Sequence, residues 1–144
     1  MDRPDLSYVV KEFQASVVVK QRILEDPRFM QQVTDMGHLL IDCYAEGHKL
    51  MVAGNGGSAA DAQHIAAEFV SRFNFDRPGL PALALTTDTS ILTAVGNDYG
   101  YDQLFRRQIE ANGVGGDVFL GISTSGNSPN ILQALEAARL KGIM

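Results

Sequence analysis

The sequence predicts an α/β fold, a parallel sheet with helices wound on both of its faces. Two observations carry this expectation. Three short apolar runs, at about 49–53, 81–86 and 117–122, are separated by stretches with helical spacing. Short apolar strands alternating with helices are the mark of a parallel sheet with right-handed crossovers. The first and third runs also pass straight into loops rich in glycine or hydroxyl side chains, and ligands of open α/β sheets bind at the carboxyl ends of strands.

The elements follow in order. Residues from about 5 to 24 read as a helix, because Leu6, Val9, Val10, Phe13, Val17 and Leu24 recur at helical spacing. Asp26-Pro27 then supplies a cap and a first-turn proline for a second helix. That helix runs to about Glu46, with Val33, Met36, Leu39, Leu40 and Cys43 on its apolar side, and Gly47 is its natural stop. Two helices ahead of any strand signal are expected to pack on a partner subunit or on the chain's own domain. Strand 49–53 leads into a helix at about 58–73, with Ser58 as its expected N-cap. Pro78, Gly79 and Pro81 mark a loop before strand 81–86. Asp88-Thr89-Ser90 opens a short helix through Val95, and 96–100 reads as a loop. A helix at about 101–111, strand 117–122 and a helix at about 129–141 complete the pattern. Gly142 reads as a C-cap and Ile143-Met144 as the first residues of another strand. Three strands are few for such a sheet, so the domain is expected to be incomplete at its C-terminal side. The expected division is 1–48 for the helical pair and 49–144 for the α/β domain.

With 144 residues the chain has length for one domain and a sizeable core, and its 45% hydrophobic and 20% charged content is ordinary for a globular protein. A net charge of −5 gives no support to nucleic-acid or anionic-membrane binding. Cys43 is the only cysteine, which rules out an intrachain disulfide and a cysteine-rich zinc site. Its apolar helical setting reads as that of a buried structural thiol. The N-terminus lacks a signal pattern and no apolar run reaches membrane-spanning length, so a cytoplasmic protein is expected.

The most informative segment is Gly54 to Glu68. Glycines at a strand end let backbone N–H groups approach a ligand, and the helix that follows adds its own unpaired N–H groups and positive pole. At about 100° per residue, Asp61, His64 and Glu68 share one stripe, which Ser71 and Arg72 extend. Ile65, Phe69 and Phe73 lie beside it and read as core-facing. A His and a Glu at this spacing form an ordinary solvated face in most helices, but the glycine turn at the head of this one favours acid/base or metal chemistry. Gly54 to Ala59 also fits the permissive dinucleotide fingerprint, but the acidic residue expected about twenty positions on has no candidate.

A second ligand loop, Ser123-Thr124-Ser125-Gly126-Asn127-Ser128-Pro129, opens the last helix. Its hydroxyls suit a phosphate, with Ser128 as N-cap and Pro129 as first helical residue. It lacks the lysine of a nucleotide P-loop, which argues against triphosphate hydrolysis. Asn97 and Asp98, after the second strand, are expected to reach the same crevice, or else form a plain turn.

On Gly54-Asn55-Gly56-Gly57-Ser58, Asp61 through His64 to Glu68, Gly96 to Gly100 and Gly121 to Ser128, the chain resembles the sugar isomerase (SIS) domain family over nearly its whole length. Within it, the match is to the branch that acts on heptose phosphates. The resemblance implies a flavodoxin/Rossmann-like doubly wound sheet and an aldose–ketose isomerase. It would convert D-sedoheptulose 7-phosphate to D-glycero-D-manno-heptose 7-phosphate through an enediol, the first step of bacterial heptose synthesis for lipopolysaccharide and capsule. It implies that Asn55, Gly56, Gly57 and Ser58 line the sugar, that Asn97 and Asp98 contact substrate, and that Ser123, Thr124, Ser125 and Ser128 hold the phosphate. Glu68 is implied as catalytic base, with Asp61 beside it in the catalytic group. Zinc is implied on His64 and Glu68, with a Gln and a His beyond Met144 completing the site. A homotetramer with sites at subunit interfaces is implied too. The alternative within the family is a non-catalytic module that binds a sugar phosphate or a replication-initiator protein. Asp61 and Glu68 favour the enzyme, because a pure binding module has no need of an acid beside a histidine.

Overall fold

The computed structural model describes residues 5–144. The chain divides into two compact units, Met1–Leu39 and Leu40–Met144, the division falling inside the second helix.

The first unit contains α1 (Leu6–Leu24) and most of α2 (Pro27–Ala45). Asp5 caps α1 by accepting the Tyr8 N–H at 3.0 Å. Asp26 accepts the N–H groups of Arg28 and Phe29, with Pro27 in the first turn as the sequence predicts. No residue of α1 is buried, and Leu6, Phe13 and Val17 are exposed.

The second unit is built on β1 (Leu50–Gly54), β2 (Ala82–Ala84) and β3 (Val118–Ile122), all parallel in the order β2-β1-β3. Leu50 pairs with Ala82 on one side and Val118 on the other, and Gly54 pairs with Ile122. Strand β1 leads into α3 (Gly57–Val70), and β2 into α4 (Thr89–Tyr99), a 3-10 turn at Tyr101–Gln103 and α5 (Leu104–Asn112). Strand β3 leads into α6 (Pro129–Leu140). The crossovers from β1 to β2 and from β2 to β3 run in opposite directions across the sheet, so α3 covers one face while α5 and α6 cover the other.

Alternation along β1 sends Met51 and Ala53 to the second face. There they join Leu104, Phe105 and Ile109 of α5, Phe119 of β3, and Ile131, Ala134 and Ala138 of α6 in the core. Helix α3 meets the sheet through Ala62 and Ala66, both buried. This corrects the expected core face. Ile65 and Phe69 are half-buried and Phe73 is exposed, because small side chains let the helix lie close to β1. Phe69 stacks instead on Tyr44 of α2, with ring centroids 5.6 Å apart. Cys43 is buried as expected, and burial pushes its thiol pKa up.

Both expected glycine stops are Schellman turns. At the end of α2, His48 N–H bonds the Cys43 carbonyl and Gly47 N–H that of Tyr44. Gly142 and Ile143 repeat this after α6. Met144 then joins the outer edge of β3, donating to the Asp117 carbonyl at 3.0 Å and accepting from Phe119 N–H at 2.8 Å. That is the pairing expected for the start of a further strand.

Other boundaries shift. Helix α3 ends at Val70, so Ser71 and Arg72 do not extend its stripe. Arg77 caps its C-terminus instead, donating to the carbonyls of Glu68 and Phe69 at 2.8 Å each. Helix α4 runs through 96–99, where a loop is expected. Asn97 and Asp98 therefore sit in its last turn, and Gly100 ends it.

Asp117 is wholly buried at the amino end of β3. It accepts the N–H groups of Lys49 (3.1 Å) and Val114 (2.9 Å) and the Lys49 ammonium (2.6 Å). Burial by itself pushes this carboxyl up, but the hydrogen bonds from Lys49 and Val114 outweigh it and hold the pKa below the usual range. A depressed folded-state value means stability that is present above the unfolded value of about 4 and lost as pH falls through the folded one. Asp117→Asn is expected to cost about 2–3 kcal/mol at neutral pH in denaturant unfolding. The gap from wild type should narrow as the pH is taken below about 4. A gap independent of pH would show that the charge of Asp117 contributes nothing.

Candidate active site

Strand β1 ends where the backbone must turn against its own helix. A Cβ on Gly54 would lie 2.4 Å from the Ser58 carbonyl oxygen, so only glycine fits there. Gly56 has φ +56 and ψ −120, a region closed to other residues, and it occupies the N-cap of α3. Ser58, the expected cap, is the second residue of the helix, and its N–H bonds the Asn55 carbonyl at 3.0 Å. The first turn of α3 thus has no side-chain cap; Ala59 N–H also bonds the Gly56 carbonyl, and the N–H groups of Gly56 and Gly57 are those kept for a ligand.

Beside this turn lies a cavity of about 290 Å³. Asn55, Gly56, Thr86, Thr93 and Tyr101 give it polar groups, and Leu92, Leu104 and Phe105 an apolar floor. Thr86 is held by the Ala59 carbonyl (3.3 Å) and by Gln63 (3.4 Å), which ties the end of β2 to α3.

The hydroxyl loop after β3 is folded on itself. Ser123 and Ser128 hydroxyls lie 2.9 Å apart and those of Ser123 and Ser125 3.4 Å apart. Ser125 Oγ also accepts the Asn127 N–H. Ser128 is the N-cap of α6 by position, as expected, but its hydroxyl is turned to Ser123 and makes no capping bond. The N-terminus of α6 is therefore open as well, and Thr124 and Ser125 are exposed beside it. The two ligand turns are joined by side chains. Asn55 and Asn130, the second residue of α6, exchange amide hydrogen bonds of 2.9 and 2.8 Å, and the Tyr101 hydroxyl donates to Asn55 at 3.2 Å.

Asp61, His64 and Glu68 follow on α3. His64 Nε2 lies 3.5 Å from Glu68 Oε1. The His64 side chain is open to solvent, Glu68 is about two-thirds covered, and Asp61 is exposed. Two N/O ligands at about 2.1 Å from a tetrahedral zinc stand about 3.4 Å apart, so this pair fits two corners of such a site. No group of three or more His, Cys, Asp or Glu that could hold a metal is found among the described residues. Asn97 and Asp98 bond each other at 2.7 Å on the surface of α4. Among the described residues, the cavity lining takes in Asn55 and Gly56. It leaves out Gly57, Ser58, Asp61, His64, Glu68, Asn97, Asp98 and the hydroxyl loop.

Sequence reasoning missed Thr86, Thr93, Tyr101 and Asn130. Thr86 carried a usable signal, since it is the last residue of the second expected strand, whose carboxyl end faces the crevice. Asn130 carried a weaker one, an amide in the first turn of the helix that follows the hydroxyl loop.

A family model described as SIS domain matches residues 13–144. The chain is 61% identical over 137 residues to a phosphoheptose isomerase of Aneurinibacillus thermoaerophilus, covering 95% of this chain and 69% of the relative. It is 59% identical to phosphoheptose isomerase 2 of Campylobacter jejuni, covering 96% and 69%. Among solved structures, phosphoheptose isomerase GmhA from Neisseria gonorrhoeae matches with a TM-score of 0.86 at 43% identity, over 95% of this chain and 70% of that one. A phosphoheptose isomerase from Francisella tularensis matches with a TM-score of 0.88 at 37% identity, over 98% and 73%.

If the hydroxyl loop is an anion cradle, Ser125→Ala should weaken binding of a phosphorylated sugar by about 1–2 kcal/mol in calorimetry. Equal affinity for phosphorylated and unphosphorylated sugar would remove that assignment.

Proposed function

This chain belongs to the SIS domain family, and on that premise we infer that it is an aldose–ketose isomerase of heptose phosphates, interconverting D-sedoheptulose 7-phosphate and D-glycero-D-manno-heptose 7-phosphate. The observation that carries this reading is the juxtaposition of two uncapped helix N-termini, one behind a glycine turn and one behind a hydroxyl loop, with a His–Glu pair on the first helix. The non-catalytic reading is not favoured, since the similar proteins named above are isomerases.

The isomerisation moves a proton between neighbouring carbons through an enediol. It needs a base at the carbon-bound proton, donors for the oxygen that gains charge, and a fixed substrate. Glu68 is assigned as the base. It is partly covered, it stands on a rigid helix, and Arg77 holds the carbonyls of the last turn around it. Asp61 lies about two turns earlier on the same stripe and is assigned to the same catalytic group. Ser123, Thr124, Ser125 and Ser128 take the phosphate with the N-terminus of α6, and this remote binding energy fixes the reacting end. Asn55, Gly56, Gly57 and Ser58 take the sugar, with Asn97 and Asp98 as further substrate contacts. We assign His64 and Glu68 as zinc ligands, and zinc when bound supplies Lewis-acid polarisation of the substrate oxygen.

We also assign the chain to a homo-oligomer, a tetramer, in the bacterial cytoplasm. The support for assembly is the exposed apolar face of α1, where Val9, Val10, Phe13, Val17 and Val18 line one open groove. No helix among the described residues is long and apolar enough to cross a membrane.

Glu68→Gln is expected to abolish turnover of sedoheptulose 7-phosphate and to leave its binding within about tenfold of wild type. Unchanged turnover would rule out Glu68 as base. Phe13→Asp is expected to lower the molar mass in light scattering, and an unchanged mass would exclude α1 from the interface.

A further inference from the structure

We propose that Asn130 is a positioning residue, which fixes the plane of the Asn55 side-chain amide at the cavity wall, where that amide meets the bound sugar phosphate. The identity of the ligand rests on the isomerase reading. The geometry does not. Asn130 is 2% exposed and lies behind the cavity, outside its lining, whereas Asn55 is in the lining. Both polar atoms of the Asn130 side chain are engaged with Asn55. A buried amide costs free energy to desolvate, so one spent on a single neighbour points to that neighbour's orientation.

The pair fixes the plane and position of the Asn55 amide. A free asparagine amide rotates over a broad range about its terminal torsion. Here the Asn55 amide makes both reciprocal bonds to Asn130, at 2.9 and 2.8 Å, and meets the Tyr101 hydroxyl at 3.2 Å. Three contacts on one small planar group leave it a single plane at the cavity wall. A sugar phosphate then meets an amide already held in place rather than one that must be ordered on binding. The same contact couples the glycine turn after β1 to the first turn of α6, so the sugar and phosphate subsites are held at a fixed separation.

The test is a double-mutant cycle in the full-length protein with D-sedoheptulose 7-phosphate. Calorimetric Kd and steady-state kcat/KM are read for wild type, Asn55→Ala, Asn130→Ala and the double variant. Asn130→Ala alone is expected to weaken binding and kcat/KM about tenfold, yet by less than about twofold once Asn55 is already alanine. Losses that multiply in the double variant would overturn the proposal, because a purely structural role does not depend on the Asn55 side chain. If Asn130→Ala does not fold, the shape-preserving Asn130→Asp enters the same cycle, since it keeps the acceptor and removes the donor. Wild type that binds without turnover removes the isomerase reading, and the Kd cycle still decides the role of Asn130. Wild type that does not bind the sugar phosphate overturns both.

Discussion

The buried carboxylate of Asp117 sets the register on which the site depends. Its contacts tie the residue before β1 to the residue before β3 through both the main chain and the side chain of Lys49. With Lys49 held opposite Asp117, Leu50 meets Val118 and, four residues later, Gly54 meets Ile122. The two strands therefore end level, and their loops leave at the same height. A slip of one residue would turn either Met51 or Phe119, on whichever strand slipped, away from α5 and α6. It would also part Asn55 from Asn130. The end of the sheet that bears the two ligand loops is thus aligned by a charge buried at the opposite end.

Three polar residues are buried among the described ones, Asp117, Gln108 and Asn130, and they divide the work. Gln108 donates to the carbonyls of Leu85 and Leu104, which secures the chain just past β2 against α5. Asp117 secures the amino end of the sheet. Asn130 alone looks toward the ligand loops. Among the described residues no buried side-chain polar atom lacks a partner, so each of the three desolvation costs is offset by hydrogen bonds.

Much of this was legible in the sequence, for physical reasons. The strands and their order of appearance follow from apolar runs of strand length, and the stops of α2 and α6 from glycines that can take a left-handed turn. The family was legible because the glycine turn, the Asp61–Glu68 stripe and the hydroxyl loop are local motifs. Contacts far apart in sequence were not. Asn55 to Asn130 spans 75 positions and Lys49 to Asp117 spans 68, and neither pair has a periodicity to betray it. The cap of α3 was misread because Ser58 is a better capper than glycine, while the tight approach at Gly54 overrides that preference. The last turn of α4 was misread because Gly96 and Asn97 are loop formers. Apolar contact through Leu92, Val95 and Leu104 keeps the helix going to Tyr99.

The chemistry of the two loops fits a site that must hold a phosphate and then release it. Neither 50–71 nor 118–138 contains a lysine or arginine. The negative charge is left to helix N-termini, backbone N–H groups and serine hydroxyls, which act at short range. Such donors discriminate by geometry, since each must point at a particular oxygen, whereas a flexible cationic side chain would hold many anions in many poses. Geometry of that kind is only as good as the frame that holds it. This is why the level ends of β1 and β3, the glycine-only turn at Gly54 and the amide pair behind Asn55 belong to one design. Each removes a degree of freedom from two loops whose own groups carry no full positive charge.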